Sequence, residues 1–84
     1  MYEVRLSPAA AKGLKKAPPQ VARRIRTKLN ELATDPYKAS NVKRLTNHPG
    51  YRARIGNWRI LYLIQKGTLV IQIIEIGHRR GVYR

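Results

Sequence analysis

The fold is decided by residues 51–62, which read YRARIGNWRILY. The dipeptide Gly56-Asn57 at its centre is typical of a two-residue turn between antiparallel strands. Strand-like runs lie on both sides of this turn, Tyr51–Ile55 before it and Trp58–Ile64 after it. The stretch therefore predicts a β-hairpin.

The predicted turn also fixes which residues lie opposite each other. It places Ile55 opposite Trp58 and, one step further from the turn, Arg54 opposite Arg59. Because side chains alternate between the two faces of a sheet, Arg52, Arg54 and Arg59 are expected on one face. The other face is expected to form the core, with Tyr51, Ala53, Ile55, Trp58, Ile60, Tyr62 and Ile64.

One strand and two helices are predicted before the hairpin. Residues 2–6 alternate between apolar and polar types, which favours a half-buried strand. Ser7-Pro8 is typical of a helix start, and the helix expected over residues 9–17 ends at Pro18-Pro19. The second helix is predicted to end at Asp35-Pro36. Its apolar stripe consists of Val21, Ile25, Leu29 and Leu32.

The remaining segments complete the predicted fold. Residues 36–50 are rich in Pro, Asn and Gly and predict a long loop, whose length favours a functional role. A two-residue turn at Lys66-Gly67 leads into a last strand, Thr68–Ile76. The order β-α-α-β-β-β predicts one α+β domain over residues 1–84, with a small, largely antiparallel four-stranded sheet and both helices on one face.

The charge of the chain narrows the classes of partner. Eighteen Lys and Arg residues against four Asp and Glu give a net charge of +14, which favours a nucleic acid or an acidic protein as partner. A merely solubilising surface is the alternative. The absence of cysteine fits a cytoplasmic protein. The longest apolar run has strand length, so no membrane span is expected. The few, dispersed carboxylates argue against metal catalysis, and no cofactor is expected.

Two arginines directly opposite each other in a sheet destabilise it by about 0.2–1 kcal/mol unless an anion compensates them. A phosphate is the preferred candidate, because each guanidinium presents a planar fork of donors. If the second hairpin keeps an unbroken register, Glu75 projects onto the core face and His78 onto the face with the arginines. An unspecialised, exposed sheet face is the alternative. The helix cations Arg23, Arg24, Arg26 and Lys28 are expected on the solvated side of the second helix. The alternative is that they follow a nucleic-acid backbone at a distance from the site.

The end of the chain carries a distinctive motif. Gly77-His78-Arg79-Arg80 follows the last predicted strand, and Tyr83 lies four residues beyond Arg79. Together with YRAR at residues 51–54 and WRILY at residues 58–62, this pattern resembles the RelE family of bacterial and archaeal toxins. The similarity extends over essentially the whole chain and is most specific in its carboxy-terminal half.

The resemblance implies a toxin that a cognate antitoxin neutralises and that cuts messenger RNA in the ribosomal A site. Cleavage without a metal uses the 2′-hydroxyl as nucleophile and leaves a 2′,3′-cyclic phosphate and a 5′-hydroxyl. The implied catalytic residues are Arg54, Arg59, Arg79 and Tyr83, and the last three are expected to be substantially exposed. Tyr83 is the expected base, with His78 as a second possibility for that role. The implied RNA-binding residues are Arg52, Arg54, His78 and Arg80.

Two other functions remain open at this stage. A related toxin of the ParE type binds DNA gyrase and has no nuclease activity, and the same fold serves it. A plain RNA-binding module would retain binding without cleavage. Convergence of Arg59, Arg79 and Tyr83 on one site separates the nuclease from the gyrase inhibitor, and cleavage in the presence of ribosomes separates it from the binding module.

Overall fold

The computed structural model describes residues 1–78 of the chain, which contain two helices and five strands. In chain order these are β1 (Glu3–Leu6), α1 (Pro8–Lys16), α2 (Pro19–Thr34), β2 (Val42–Arg44), β3 (Tyr51–Ile55), β4 (Trp58–Gln65) and β5 (Val70–His78). The strands form one sheet in the order β1-β5-β4-β3-β2. β1 runs parallel to β5, and the other neighbouring strands are antiparallel. The α+β class and the largely antiparallel sheet are therefore confirmed.

The sheet has one strand more than the sequence predicted. β2 lies inside residues 36–50, which were expected to form a loop throughout, and it pairs with β3 at the edge of the sheet. It has only three residues and is flanked by Asn41 and Asn47, both with positive φ. So short an edge strand is hard to distinguish from a loop by composition alone.

The first hairpin, β3–β4, has the predicted register. Ile55 lies opposite Trp58, and Arg54 lies opposite Arg59. Gly56 has a φ of 57°, which suits the glycine position of a type II′ turn. A side chain at this position would be strained, so the glycine itself holds the register.

The second hairpin, β4–β5, differs from the prediction in two ways. Gln65 pairs with Val70, so the connection is the four-residue loop 66–69 and not a two-residue turn. The register then shifts because Leu61 pairs with Glu75 whereas Tyr62 pairs with Ile73. Residue 74 is therefore the extra residue of a β-bulge.

Helix α1 lies unusually close to the backbone of β5. Ser7 caps the helix as predicted: its Oγ accepts a hydrogen bond from Ala10 N (3.0 Å) and donates one to Ile74 O (2.6 Å). A Cβ added at Gly13 would lie 1.7 Å from the carbonyl oxygen of Ile76. The glycine that weakens this helix by propensity is thus the residue that lets it dock.

The core lies between the helices and one face of the sheet. The predicted stripe on α2 is confirmed, because Ile25, Leu29 and Leu32 are buried and Val21 packs against them. The sheet contributes Ala53, Ile55, Ile60, Tyr62, Ile71, Ile73 and Ile76. The Tyr62 hydroxyl, which is buried here, donates to Pro36 O at 2.8 Å.

Candidate nucleic-acid interface

The face of the sheet turned away from the helices carries the cations Lys43, Arg52, Arg54 and Arg59, and we call it the arginine face. Directly paired residues share a face, which places these four together. Leu61 and Glu75 belong to the same face by their pairing. The predicted grouping of three arginines is confirmed, and a lysine is added to it.

Arg54 and Arg59 form the first row across the arginine face. They lie directly opposite each other, and the next position in the row is Gly77, which carries no side chain. Arg54 is exposed, whereas Arg59 retains only 5% of its accessible surface. Arg59 Nη1 donates to Gly56 O (3.0 Å) and to Trp58 O (3.1 Å). The expectation that Arg59 is substantially exposed is therefore wrong: the turn carbonyls hold its guanidinium in place.

A second row crosses the arginine face from Lys43 through Arg52 and Leu61 to Glu75. The expectation that Glu75 projects onto the core face is wrong, because the one-residue bulge exchanges the two faces of β5 beyond it, whereas the two extra loop residues leave them unchanged. Glu75 is two strands from Arg52, roughly 10 Å away across the sheet. Lys43 was missed because residues 36–50 were taken for a loop, and the three residues Val42-Lys43-Arg44 are too few to show an alternating pattern.

The other carboxylates lie away from the first row. Glu3 forms an ion pair with Arg5 at 2.7 Å at the far edge of the sheet, and this hydrogen bond lowers the pKa of the Glu3 carboxyl. Glu31 pairs with Lys28 at 3.0 Å. Asp35 Oδ1 accepts hydrogen bonds from Tyr37 N and Lys38 N. The arginine face therefore keeps an excess of positive charge beside Glu75.

His78 does not lie on the arginine face. It pairs with Trp58 on the helix side of the sheet, and the two rings meet edge to face at 5.9 Å. The prediction that His78 binds RNA from the arginine face is therefore wrong. The shift in register that brings Glu75 onto this face also turns His78 away from it. The predicted site residues Arg79, Arg80 and Tyr83 lie outside the described residues.

One of the helix cations also departs from expectation. Arg23, Arg24 and Arg26 are exposed, as predicted for a solvated helix face. Lys28 is 6% exposed, and its Nζ donates to Glu31 Oε2 (3.0 Å), Ser40 O (2.9 Å) and Ser40 Oγ (3.0 Å). This lysine ties α2 to the segment that leads into β2.

The arrangement is suited to binding a phosphate. Arg54 is exposed, and the guanidinium of Arg59, buried beside it on the adjacent strand, is fixed before any ligand arrives. Fixed donors stabilise developing negative charge without a cost of reorganisation. Within residues 1–78, no cluster of three or more His, Cys, Asp or Glu residues is placed to hold a metal ion. In the same part of the chain, no helix is long and apolar enough to cross a membrane.

Comparison with known proteins agrees with this fold. Residues 4–83 match the family model described as ParE toxin of type II toxin–antitoxin system, parDE. Toxin RelG of Mycobacterium tuberculosis is 29% identical over 84 residues, which is 99% of this chain and 97% of that protein.

Solved structures give the same result. The RelBE2 toxin–antitoxin complex of M. tuberculosis contains a chain with 27% identity and a TM-score of 0.82, covering 93% of this chain and 98% of that one. The archaeal RelE–RelB complex of Pyrococcus horikoshii contains one with 26% identity and a TM-score of 0.81, covering 93% and 94%.

Proposed function

This chain belongs to the ParE toxin family of type II toxin–antitoxin systems, within the RelE/ParE superfamily, and from that premise we propose that it is an endoribonuclease of the RelE type. It cuts messenger RNA in the ribosomal A site, in the cytoplasm, and thereby inhibits translation. A cognate antitoxin neutralises it. The observation that carries the proposal is the Arg54–Arg59 pair, opposite each other on a strongly cationic sheet face.

The proposed chemistry needs no metal. The 2′-hydroxyl gives up its proton and its oxygen attacks the adjacent phosphorus, while negative charge grows on the phosphate oxygens. The bond to the 5′-oxygen breaks, and an acid protonates that oxygen to give the 5′-hydroxyl. Arg59, held by the turn carbonyls, stabilises that charge. Arg54 and Arg52 bind the flanking backbone, and the new member Lys43 extends the same row.

The roles predicted for the carboxy-terminal residues complete the proposal. Arg79 joins Arg59 at the phosphate, Arg80 binds RNA, and Tyr83 accepts the 2′-hydroxyl proton. Several guanidinium groups near a phenol lower its pKa towards the range where it can act as a base. Of the two base candidates, Tyr83 is now preferred, because His78 pairs with Trp58 on the opposite face of the sheet.

An antitoxin partner is supported from two directions. Similar chains have been solved in toxin–antitoxin complexes from M. tuberculosis and P. horikoshii. A net charge of +14 also favours a partner with an acidic segment, because such a segment relieves the self-repulsion of the toxin.

The experiment is cleavage of a translated messenger by the purified toxin, with the ends of the products mapped. We expect 2′,3′-cyclic phosphate and 5′-hydroxyl ends. Arg79→Ala and Tyr83→Phe should each lower the cleavage rate by about 10²–10³. Arg26→Ala, an exposed change on α2, is the control and should leave the rate unchanged. Products with 5′-phosphate ends would contradict the mechanism.

A gyrase inhibitor of the ParE type is the second candidate function, and the observation that favours it is the family model itself. This function requires no cleavage of RNA. Supercoiling by DNA gyrase in the presence of the toxin separates the two. Inhibition of gyrase without messenger cleavage would replace the nuclease with this alternative.

A further inference from the structure

A cleft lies between helix α2 and the tip of the first hairpin, at the border of the arginine face. It has a volume of about 620 Å³. Arg54 lines it and also belongs to the arginine face, so the cleft and the face are continuous. We call it the hairpin cleft. Its lining residues are Arg24, Thr27, Lys28, Glu31, Asn41, Arg54, Ile55, Gly56 and Asn57.

The cations of the hairpin cleft come from two different elements. α2 supplies Arg24 and Lys28, and β3 supplies Arg54. Arg24 Nη1 would be 3.8 Å from a Cβ built on Gly56, so its guanidinium lies over the turn. The helix and the hairpin each contribute an arginine to the same cleft. Together they form an anion site that neither element would form alone.

The charges in the cleft divide into fixed and available groups. Lys28 donates the three N–H groups of its ammonium to Glu31 and Ser40. It therefore adds positive electrostatic potential to the cleft but has no donor left for a ligand. Its bond to Glu31 also partly neutralises the carboxylate that lines the cleft. Arg24 and Arg54 are exposed and are left to contact a ligand directly.

The polar neighbours suit a nucleotide. Asn41 and Asn57 are both at the cleft, and an amide side chain donates and accepts hydrogen bonds, as does the Thr27 hydroxyl. The volume falls within the range of about 300–1,000 Å³ that is usual for small-molecule sites.

We propose that the hairpin cleft binds a backbone phosphate and the attached nucleoside of single-stranded RNA, next to the segment held on the arginine face. This inference deepens the proposed function and rests on it for the identity of the ligand. Arg24 and Arg54 hold the phosphate, and the amides and Thr27 contact the nucleoside. The cleft adds affinity and sets the direction of the strand, and it takes no part in the chemical step.

The test is binding of the purified toxin to a fluorescent, fully 2′-O-methylated RNA of about twelve nucleotides, which has no reactive 2′-hydroxyl. Arg24→Ala should weaken binding about tenfold, the effect of losing one hydrogen bond to a charged group. It should also reduce the slope of log affinity against log salt by about 0.7, because one phosphate contact is lost.

The matched control is Arg23→Ala, the same change one residue away on α2. Arg23 is exposed like Arg24 but does not line the hairpin cleft. Binding of this variant should stay within twofold of wild type, an outcome that a generally cationic surface does not predict.

In the binding assay, three results would overturn the inference. The first is an equal loss of RNA affinity in Arg24→Ala and Arg23→Ala, and the second is that wild type does not bind the RNA. The third is that Arg24→Ala weakens binding of a fluorescent oligoglutamate peptide as much as binding of the RNA, which would identify a protein ligand. The cleavage assay tests the proposed nuclease separately from the cleft. If RNA binding depends on Arg24 and no messenger is cut, the cleft stands and the nuclease does not. If cleavage proceeds with unchanged KM in Arg24→Ala, the nuclease stands and the cleft does not.

Discussion

The two hairpins of the sheet share strand β4 but are closed in different ways. The first has a two-residue turn with glycine in a left-handed conformation, and its register follows from local sequence. The second has a four-residue loop and a bulge. Its register depends on distant contacts, because Glu3 N donates to Leu69 O and Ser7 N donates to Ile73 O. The residues of a turn determine the register of a hairpin only where pairing with another strand does not determine it.

The difference between the hairpins has a functional consequence. The first sets Arg54 opposite Arg59 and so forms the centre of the proposed site. The second decides which residues of β5 border that site: it turns Glu75 towards the arginine face and His78 away from it. One residue of shift in register exchanges the faces of a whole strand segment.

The largest effect is expected at Arg59 in the first hairpin, and it is compared with the effect of changing Glu75 in the second hairpin. Arg59→Ala should lower messenger cleavage by about 10²–10³, because a fixed donor to the transition-state phosphate is lost. Arg59→Lys keeps the charge without the planar fork and should be intermediate. Glu75→Gln should leave the rate within a few-fold and tighten RNA binding.

Arg59 is buried, so the folded state of each variant has to be verified. Thermal unfolding followed by circular dichroism serves this purpose, and rates are compared only among folded variants. A folded Arg59→Ala variant with wild-type activity would remove Arg59 from the mechanism. A large loss in Glu75→Gln would instead assign the carboxylate a role in the chemistry.

The grouping of the three arginines could be predicted from the sequence, and the failures elsewhere on the arginine face have identifiable physical causes. Arg52, Arg54 and Arg59 share a face because alternation and a two-residue turn are local properties. Lys43 was missed because a three-residue edge strand carries too little periodicity to recognise. The burial of Arg59 depends on where its side chain turns, and backbone alternation does not specify this.

The positions of Glu75 and His78 could not be predicted for a different reason. Lys66-Gly67 is a plausible two-residue turn, yet the loop has two residues more, with Leu69 at a φ of 54°. This even number leaves the faces of β5 unchanged, and the bulge at residue 74 is what exchanges them for Glu75 and His78. β1 pairs with residues 70–73 from the other side. The register of β5 is therefore chosen by a strand more than sixty positions away in sequence, and no local pattern records that choice.

The next prediction concerns how α1 docks on the second hairpin. Gly13→Ala should destabilise the protein by about 2–3 kcal/mol, because the new methyl group would overlap the carbonyl oxygen of Ile76. The higher helix propensity of alanine offsets only about 1 kcal/mol. Urea unfolding measures the change. Gly13→Ala with unchanged stability would mean that α1 can move away from β5 at little cost.

The stability of the protein is expected to depend on pH through Tyr62, which lies at the shift in register, and this effect is of intermediate size. Burial raises the pKa of its phenol well above the ordinary value, and Tyr51 and Asp35 add to the rise. The folded state then holds the proton more tightly than the unfolded state, whose pKa is about 10. Stability from this group is complete below about pH 10 and is lost as the pH rises further towards the folded pKa.

Tyr62→Phe isolates that effect from the titration of the lysines. At neutral pH the variant should be less stable by about 1–2 kcal/mol, because Pro36 O loses its hydrogen-bond donor. Above about pH 10 the difference should shrink, since only wild type loses the tyrosine contribution. Denaturant unfolding from neutral pH to about pH 11 measures both. Parallel stability profiles for the two proteins would contradict the predicted shift.

The smallest effect compares the glycines of the two turns directly. Gly56→Ala should destabilise by about 1 kcal/mol, because a φ of 57° strains any residue with a Cβ. Gly67→Ala should instead stabilise by about 0.4–1 kcal/mol: its φ is not in the left-handed range, no atom lies within 4 Å of the new Cβ, and the unfolded chain loses freedom. Opposite signs in the two unfolding curves would confirm that glycine sets the register of the first hairpin only. Equal destabilisation by both changes would show that the second loop also depends on its glycine, and that its register is more local than the contacts with β1 indicate.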